Sequence, residues 1–128
     1  MHFDQREQAA LREAGLSTAE IEAASERVVA ATDRAAAALE AFFDGRETVY
    51  SDMDIAHSDG GVQEHAVDYL DLYTHAADIR GYLRFEGWGV PVEGGRVLGD
   101  EENPDRVELR LGPTVHDRVR FAATPDAL

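Results

Sequence analysis

Apolar and polar positions recur along this chain with two different periods, and the switches between them mark out its elements. Residues 4–14 predict a short helix with Ala9, Ala10 and Leu11 on its apolar side. Gly15 follows where a left-handed residue ends a helix. Ser17-Thr18-Ala19-Glu20 reads as a capping box, with Leu16 and Ile21 at the positions of a hydrophobic staple. From Thr18 to about Phe43, Ile21, Ala24, Val28, Ala31, Ala35, Ala38 and Phe42 recur in steps of three and four. The spacing predicts a long helix, stopped by Asp44-Gly45, whose alanine-rich seam needs a partner.

Residues 47–57 alternate instead. Val49, Ser51, Met53 and Ile55 face one way and Tyr50, Asp52 and Asp54 the other, the pattern of a half-buried strand. Ser58-Asp59-Gly60-Gly61 breaks it. Over residues 62–86, Val62, Ala66, Tyr69, Tyr73, Ala76, Arg80 and Leu83 return to steps of four and three, which predicts a second long helix ended by Gly87. The remainder is β-like. Segments 88–92 and 96–98 flank a turn at Glu93-Gly94-Gly95, and Pro91 places the first of them at a sheet edge. Segments 106–111 and 118–122 alternate, and the tail 124–128 reads as frayed. The predicted fold is α+β, a single domain over residues 1–128. Two long helices plus a short N-terminal helix pack on a small antiparallel sheet in the order α-α-β-α-β-β-β. A helical bundle with a C-terminal β appendage is the alternative.

All 12 basic residues are arginine, against 26 Asp and Glu, for a net charge of -14 on 128 residues. Such a surplus repels itself and destabilises a compact state in dilute solution, whereas concentrated salt screens it. With abundant alanine and no lysine, the composition resembles the small acidic cytoplasmic proteins of haloarchaea. That resemblance spans the whole chain, rests on no motif, and implies a salt-adapted cytoplasmic protein. The chain has no cysteine, which excludes disulfides, thiolate zinc sites and cysteine nucleophiles. The N-terminal MHFDQREQ is unlike a signal peptide, and no apolar run approaches the ~20 residues of a membrane span. Nucleic acid and anionic membranes are not expected partners, because their phosphates repel the acid surplus.

Candidate chemistry falls in five places. On the predicted helix 62–86, Glu64, Asp68, Asp71, His75 and Asp78 share one arc. Asp71 and His75 stand at i,i+4, the helical spacing that lets two side chains hold one divalent metal. Asp68, and His57 if the preceding loop folds back, are the further metal ligands. The competing interpretation is a solvated polar face. Ser51-Asp52-Met53-Asp54-Ile55 resembles the metal-binding strand of the polymerase-β-like nucleotidyltransferases, which implies two Mg²⁺ ions on its aspartates. The chain departs from that family in having no Gly-Ser pair upstream, where it reads Phe42-Phe43-Asp44-Gly45-Arg46-Glu47. Leu11 to Ile21 looks like the entry to a helix-turn-helix, but Ala23–Leu39 runs on without a break and carries acids that oppose groove entry.

Arg106, Arg110, Arg118 and Arg120 lie on the polar faces of the C-terminal hairpin. Guanidinium forks suit phosphate or carboxylate, which makes Arg110, Arg118 and Arg120 a candidate anion or nucleotide site. Pairing with Glu108 and Asp105 is the plainer alternative. Tyr69, Tyr73, Tyr82, Phe85 and Trp88, with Arg80 on the same stripe, are expected in the core. No phosphate-binding glycine loop and no nucleophile elbow is present. The expected function is therefore a non-enzymatic interaction module, associating with itself as a homodimer through the long helices. A metal-binding protein or metal-dependent enzyme is the alternative, and anion binding at the C-terminal arginines a further one.

Overall fold

A computed structural model describes residues 1–53, 61–99, 104–112 and 118–128. The elements are α1 (Gln5–Glu13), α2 (Thr18–Phe43), β1 (Thr48–Ser51), β2 (Gln63–His75), β3 (Asp78–Phe85), β4 (Trp88–Leu98), β5 (Arg106–Leu111) and β6 (Val119–Ala122). A 3₁₀ turn, Pro125–Ala127, occupies the tail that the sequence reads as frayed. Neighbouring strands pair antiparallel in chain order, and β6 returns to β1 to close a six-stranded barrel.

Helix α2 starts where its capping box predicts. The Ser17 hydroxyl accepts the Glu20 N–H at 3.1 Å, and Glu20 Oε1 accepts the Ser17 N–H at 2.9 Å. Gly15 adopts φ 103°, the left-handed conformation that a Cβ would strain. The buried face of α2 is Ile21, Ser25, Ala36, Leu39, Phe42 and Phe43: Ile21 and Phe42 of the predicted seam are buried, Ala24, Val28, Ala35 and Ala38 are partly buried, and Ala31 is exposed. Ala36, Leu39, Phe42 and Phe43 share one core with Val49, Leu83, Val107 and Phe121 of the barrel. Each large side chain buried there contributes about 1.5–3 kcal/mol. The partner this helix needs is thus the barrel, and the structure has one long helix rather than two.

The predicted helix over 62–86 is instead the β2–β3 hairpin. Its inward residues are His65 and Val67, then Leu70 and Leu72, because a bulge between Val67 and Tyr69 inserts one residue into the alternation. On β3, Ile79, Leu83 and Phe85 point inward, with Gly81 at the remaining inward position. The bulge and the glycine together erase the period of two and leave a false spacing of three and four. The turn gives no signal either, since Ala76 takes the left-handed conformation (φ 53°) usually given to Gly or Asn. The α-α-β-α-β-β-β order is therefore replaced by two helices followed by six strands.

The C-terminal half needs one more correction. Glu93-Gly94-Gly95 is not a turn: β4 runs straight through it with a bulge between Val92 and Gly94. The turn lies earlier, at Glu86-Gly87, with Gly87 at φ 88°. Nor is Pro91 on an edge strand, because β4 pairs with both β3 and β5. Its missing N–H falls past the end of β5, where Gly112 donates to the Pro91 carbonyl at 2.9 Å. Strands β1, β5 and β6 fall within the predicted segments, with Val49, Ser51 and Met53 inward. Among the described residues no helix is long and apolar enough to cross a membrane.

Candidate anion-binding face

Val107, Leu109 and Leu111 fill the barrel interior, so Arg106, Glu108 and Arg110 of β5 point outward. Strand register then sets Arg96 of β4 and Arg120 of β6 on either side of Glu108. Arg96 Nε donates to Glu108 Oε1 at 3.1 Å, and Arg120 Nε lies 3.6 Å from Glu108 Oε2. The carboxylate is covered by its partners (11% side-chain exposure) while the two arginines stay open, at 63% and 51%. One acid thus pairs with two guanidinium groups on the Nε side, and both arginine side chains remain more than half exposed.

Arg110 and Arg118 extend the same face by one row. With Gly95, Arg96 and Glu108 they line an open cavity of about 220 Å³. Arg110 stands opposite Gly94, and its aliphatic stem passes within van der Waals contact of that position, 3.4 Å from an ideal Cβ. Asp52 borders this face but is committed to barrel closure. Its Oδ1 accepts the Arg120 N–H at 2.8 Å, and its own N–H donates to the Arg120 carbonyl at 3.3 Å. The structure therefore gathers Arg110, Arg118 and Arg120, as the sequence suggests. It adds Arg96, which sequence reasoning assigns to a separate hairpin.

The metal candidates do not converge. Asp71 and His75 both lie on the outer side of β2, but four strand residues separate them by about 13 Å, beyond the reach of one ion. Asp68 sits at the bulge and lines a different cavity, about 720 Å³, beside Glu40, Asp44 and Glu47 at the end of α2. Among the described residues no group of three or more His, Asp or Glu is placed to hold a metal ion. His57 and Asp54 lie outside the described residues. Spacing of i,i+4 brings two side chains together on a helix, not on a strand.

A buried polar pair escaped the sequence reading. Ser51 Oγ and His65 Nε2 are 2.6 Å apart inside the barrel, and the hydroxyl also accepts the Met53 N–H at 3.2 Å. Phe85 packs on the imidazole at 4.9 Å, and burial pushes the His65 pKa below its ordinary value. Ser51 is fully buried, so no substrate reaches it as a nucleophile; the pair belongs to the core. Of the aromatic set expected inside, only Phe85 is buried: Tyr69, Tyr73, Tyr82 and Trp88 are exposed.

The sequence matches the model of a family of unknown function, DUF7532, over residues 1–126. The chain belongs to that family. No curated protein and no solved structure matches it. Among the described residues, Arg96 of β4, Arg110 of β5, Arg120 of β6 and Arg118 just before it gather basic groups on one face of the barrel. Their alternation on β5 and β6 was legible. The convergence of Arg96 was not, because it depends on β4 being a single bulged strand.

Proposed function

We propose that this protein is a non-enzymatic binding module that holds an anionic group, phosphate or carboxylate, on the outer face of β4, β5 and β6. The observation that carries this reading is the grouping of Arg96, Arg110, Arg118 and Arg120 around Glu108 in a chain of net charge -14. Clustering like charges costs free energy, and an anion bound among them offsets it. Glu108 accepts a hydrogen bond from Arg96 Nε and lies 3.6 Å from Arg120 Nε, which favours one placement of the two side chains before a ligand arrives. The composition supports a salt-adapted protein of the haloarchaeal cytoplasmic type.

The test is calorimetric titration with inorganic pyrophosphate at fixed ionic strength, on wild type and on Arg110→Ala/Arg118→Ala. Saturable binding by wild type, lost in the double variant with the thermal midpoint retained, supports the site. Equal heats from both proteins end it.

A further inference from the structure

The side of the barrel made by β2 and β3 carries a second kind of surface. Tyr69, Tyr73 and Tyr82 all point outward there, with 50%, 65% and 37% of their surface exposed. Register places Tyr69 opposite Arg84, Tyr73 opposite Arg80, and Tyr82 opposite Asp71. The face is thus a checkerboard in which aromatic rings alternate with both signs of charge. Two of its members are held in place. Tyr82 lies flat against the β4 backbone at Gly89, where any side chain would collide with the ring. Arg80 donates to the Glu93 carbonyl at 2.6 Å and to the Ile79 carbonyl at 3.0 Å. Rigid tyrosines and arginines give up little entropy on contact and dominate the centres of protein interfaces.

We propose that this face joins two copies of the chain in a two-fold symmetric dimer. Charge decides the occupant. A two-fold interface sets a patch against itself, so it must carry both signs, as Arg80 and Arg84 with Asp71 and Asp78 do. The chain's net charge of -14 makes two copies repel over most of their surface. Here two arginines stand among the acids, and each copy offers acids to the other's arginines. Single-stranded nucleic acid would also stack on tyrosines, but Asp71 stands in the middle of the platform. The face is distinct from the arginines of β4–β6, so neither proposal depends on the other.

The experiment separates the two signs. One variant, Arg80→Asp/Arg84→Asp, removes the arginines of the face and adds acids; another, Asp71→Arg/Asp78→Arg, makes its centre basic. By sedimentation velocity in molar KCl the wild type is expected as a dimer, and each variant as a monomer. An equimolar mixture of the two is expected to recover the dimer. Tyr73→Ser, at the most exposed ring, is expected to weaken wild-type dimerisation at least tenfold and serves if a charge variant does not fold. A wild type monomeric up to millimolar concentration overturns the proposal. So do variants that remain dimeric, a mixture that stays monomeric, or a monomer that binds a single-stranded oligonucleotide through these tyrosines.

Discussion

Ser51 Oγ lies 2.6 Å from His65 Nε2 where β1 and β2 face the barrel interior, and both residues are buried. The hydroxyl accepts one hydrogen bond from the Met53 N–H and pairs with the imidazole, so each group answers the other's need for a partner. Replacing Ser51 by Ala leaves a buried imidazole nitrogen unsatisfied. The expected loss is about 1–3 kcal/mol of unfolding free energy in urea at constant salt. Replacing both, as Ser51→Ala/His65→Phe, removes the polar pair together and is expected to recover part of that loss.

The same imidazole makes stability depend on pH. Burial lowers the His65 pKa from its ordinary 6.5, so the fold favours the neutral ring. Its contribution is fully present above about pH 6.5, the unfolded value, and is lost as pH falls through the lower folded value. Chemical denaturation of wild type and His65→Phe between pH 8 and pH 5 isolates this effect. The variant is expected to show a shallower decline over that window, and parallel curves contradict the assignment.

Gly81 occupies an inward position where β3 crosses β2. An added Cβ would meet the Asp71 carbonyl and sit 2.9 Å from Leu72 Cα, both in the backbone of the neighbouring strand. Backbone cannot swing aside as a side chain can. Gly81→Ala is therefore expected to destabilise by about 3 kcal/mol or more, measured as the drop in urea midpoint. Gly15→Ala has open space around it and pays only for its left-handed backbone, about 1 kcal/mol.

Glu108 competes with any anion for Arg96 and Arg120. Glu108→Gln removes that competition and leaves the shape. Pyrophosphate affinity is expected to rise severalfold, with a stability loss of no more than about 1 kcal/mol because both arginines are largely exposed. A fall in affinity would mean that the carboxylate's positioning of the two guanidinium groups outweighs its competition.

How far the sequence foretold this molecule depends on how local each signal is. The capping box at Ser17 and Glu20 and the glycine at position 15 act within four residues, and both helices stand where they predict. Strands β5 and β6 were legible because Val107, Leu109, Val119 and Phe121 alternate without interruption. Strands β2 and β3 were not. The bulge after Val67, glycine at 81 and a hairpin turn at Ala76 each removed one cue, and the residue count between Asp71 and His75 fits a helix as well as a strand. The anion site was half legible for the same reason. Arg110 and Arg120 sit on strands whose alternation is clean, with Arg118 just before β6, while Arg96 joins them only through the bulge at Val92.

The proposed binding face is tested most directly by the arginine Nε–Hε resonances in a ¹⁵N–¹H spectrum, followed while inorganic pyrophosphate is added at constant ionic strength. The account predicts saturable shifts for Arg96, Arg110, Arg118 and Arg120, with those of Arg6, Arg12 and Arg27 on the helices unmoved. Shifts spread evenly over all the arginines, or confined to the helices, would contradict it.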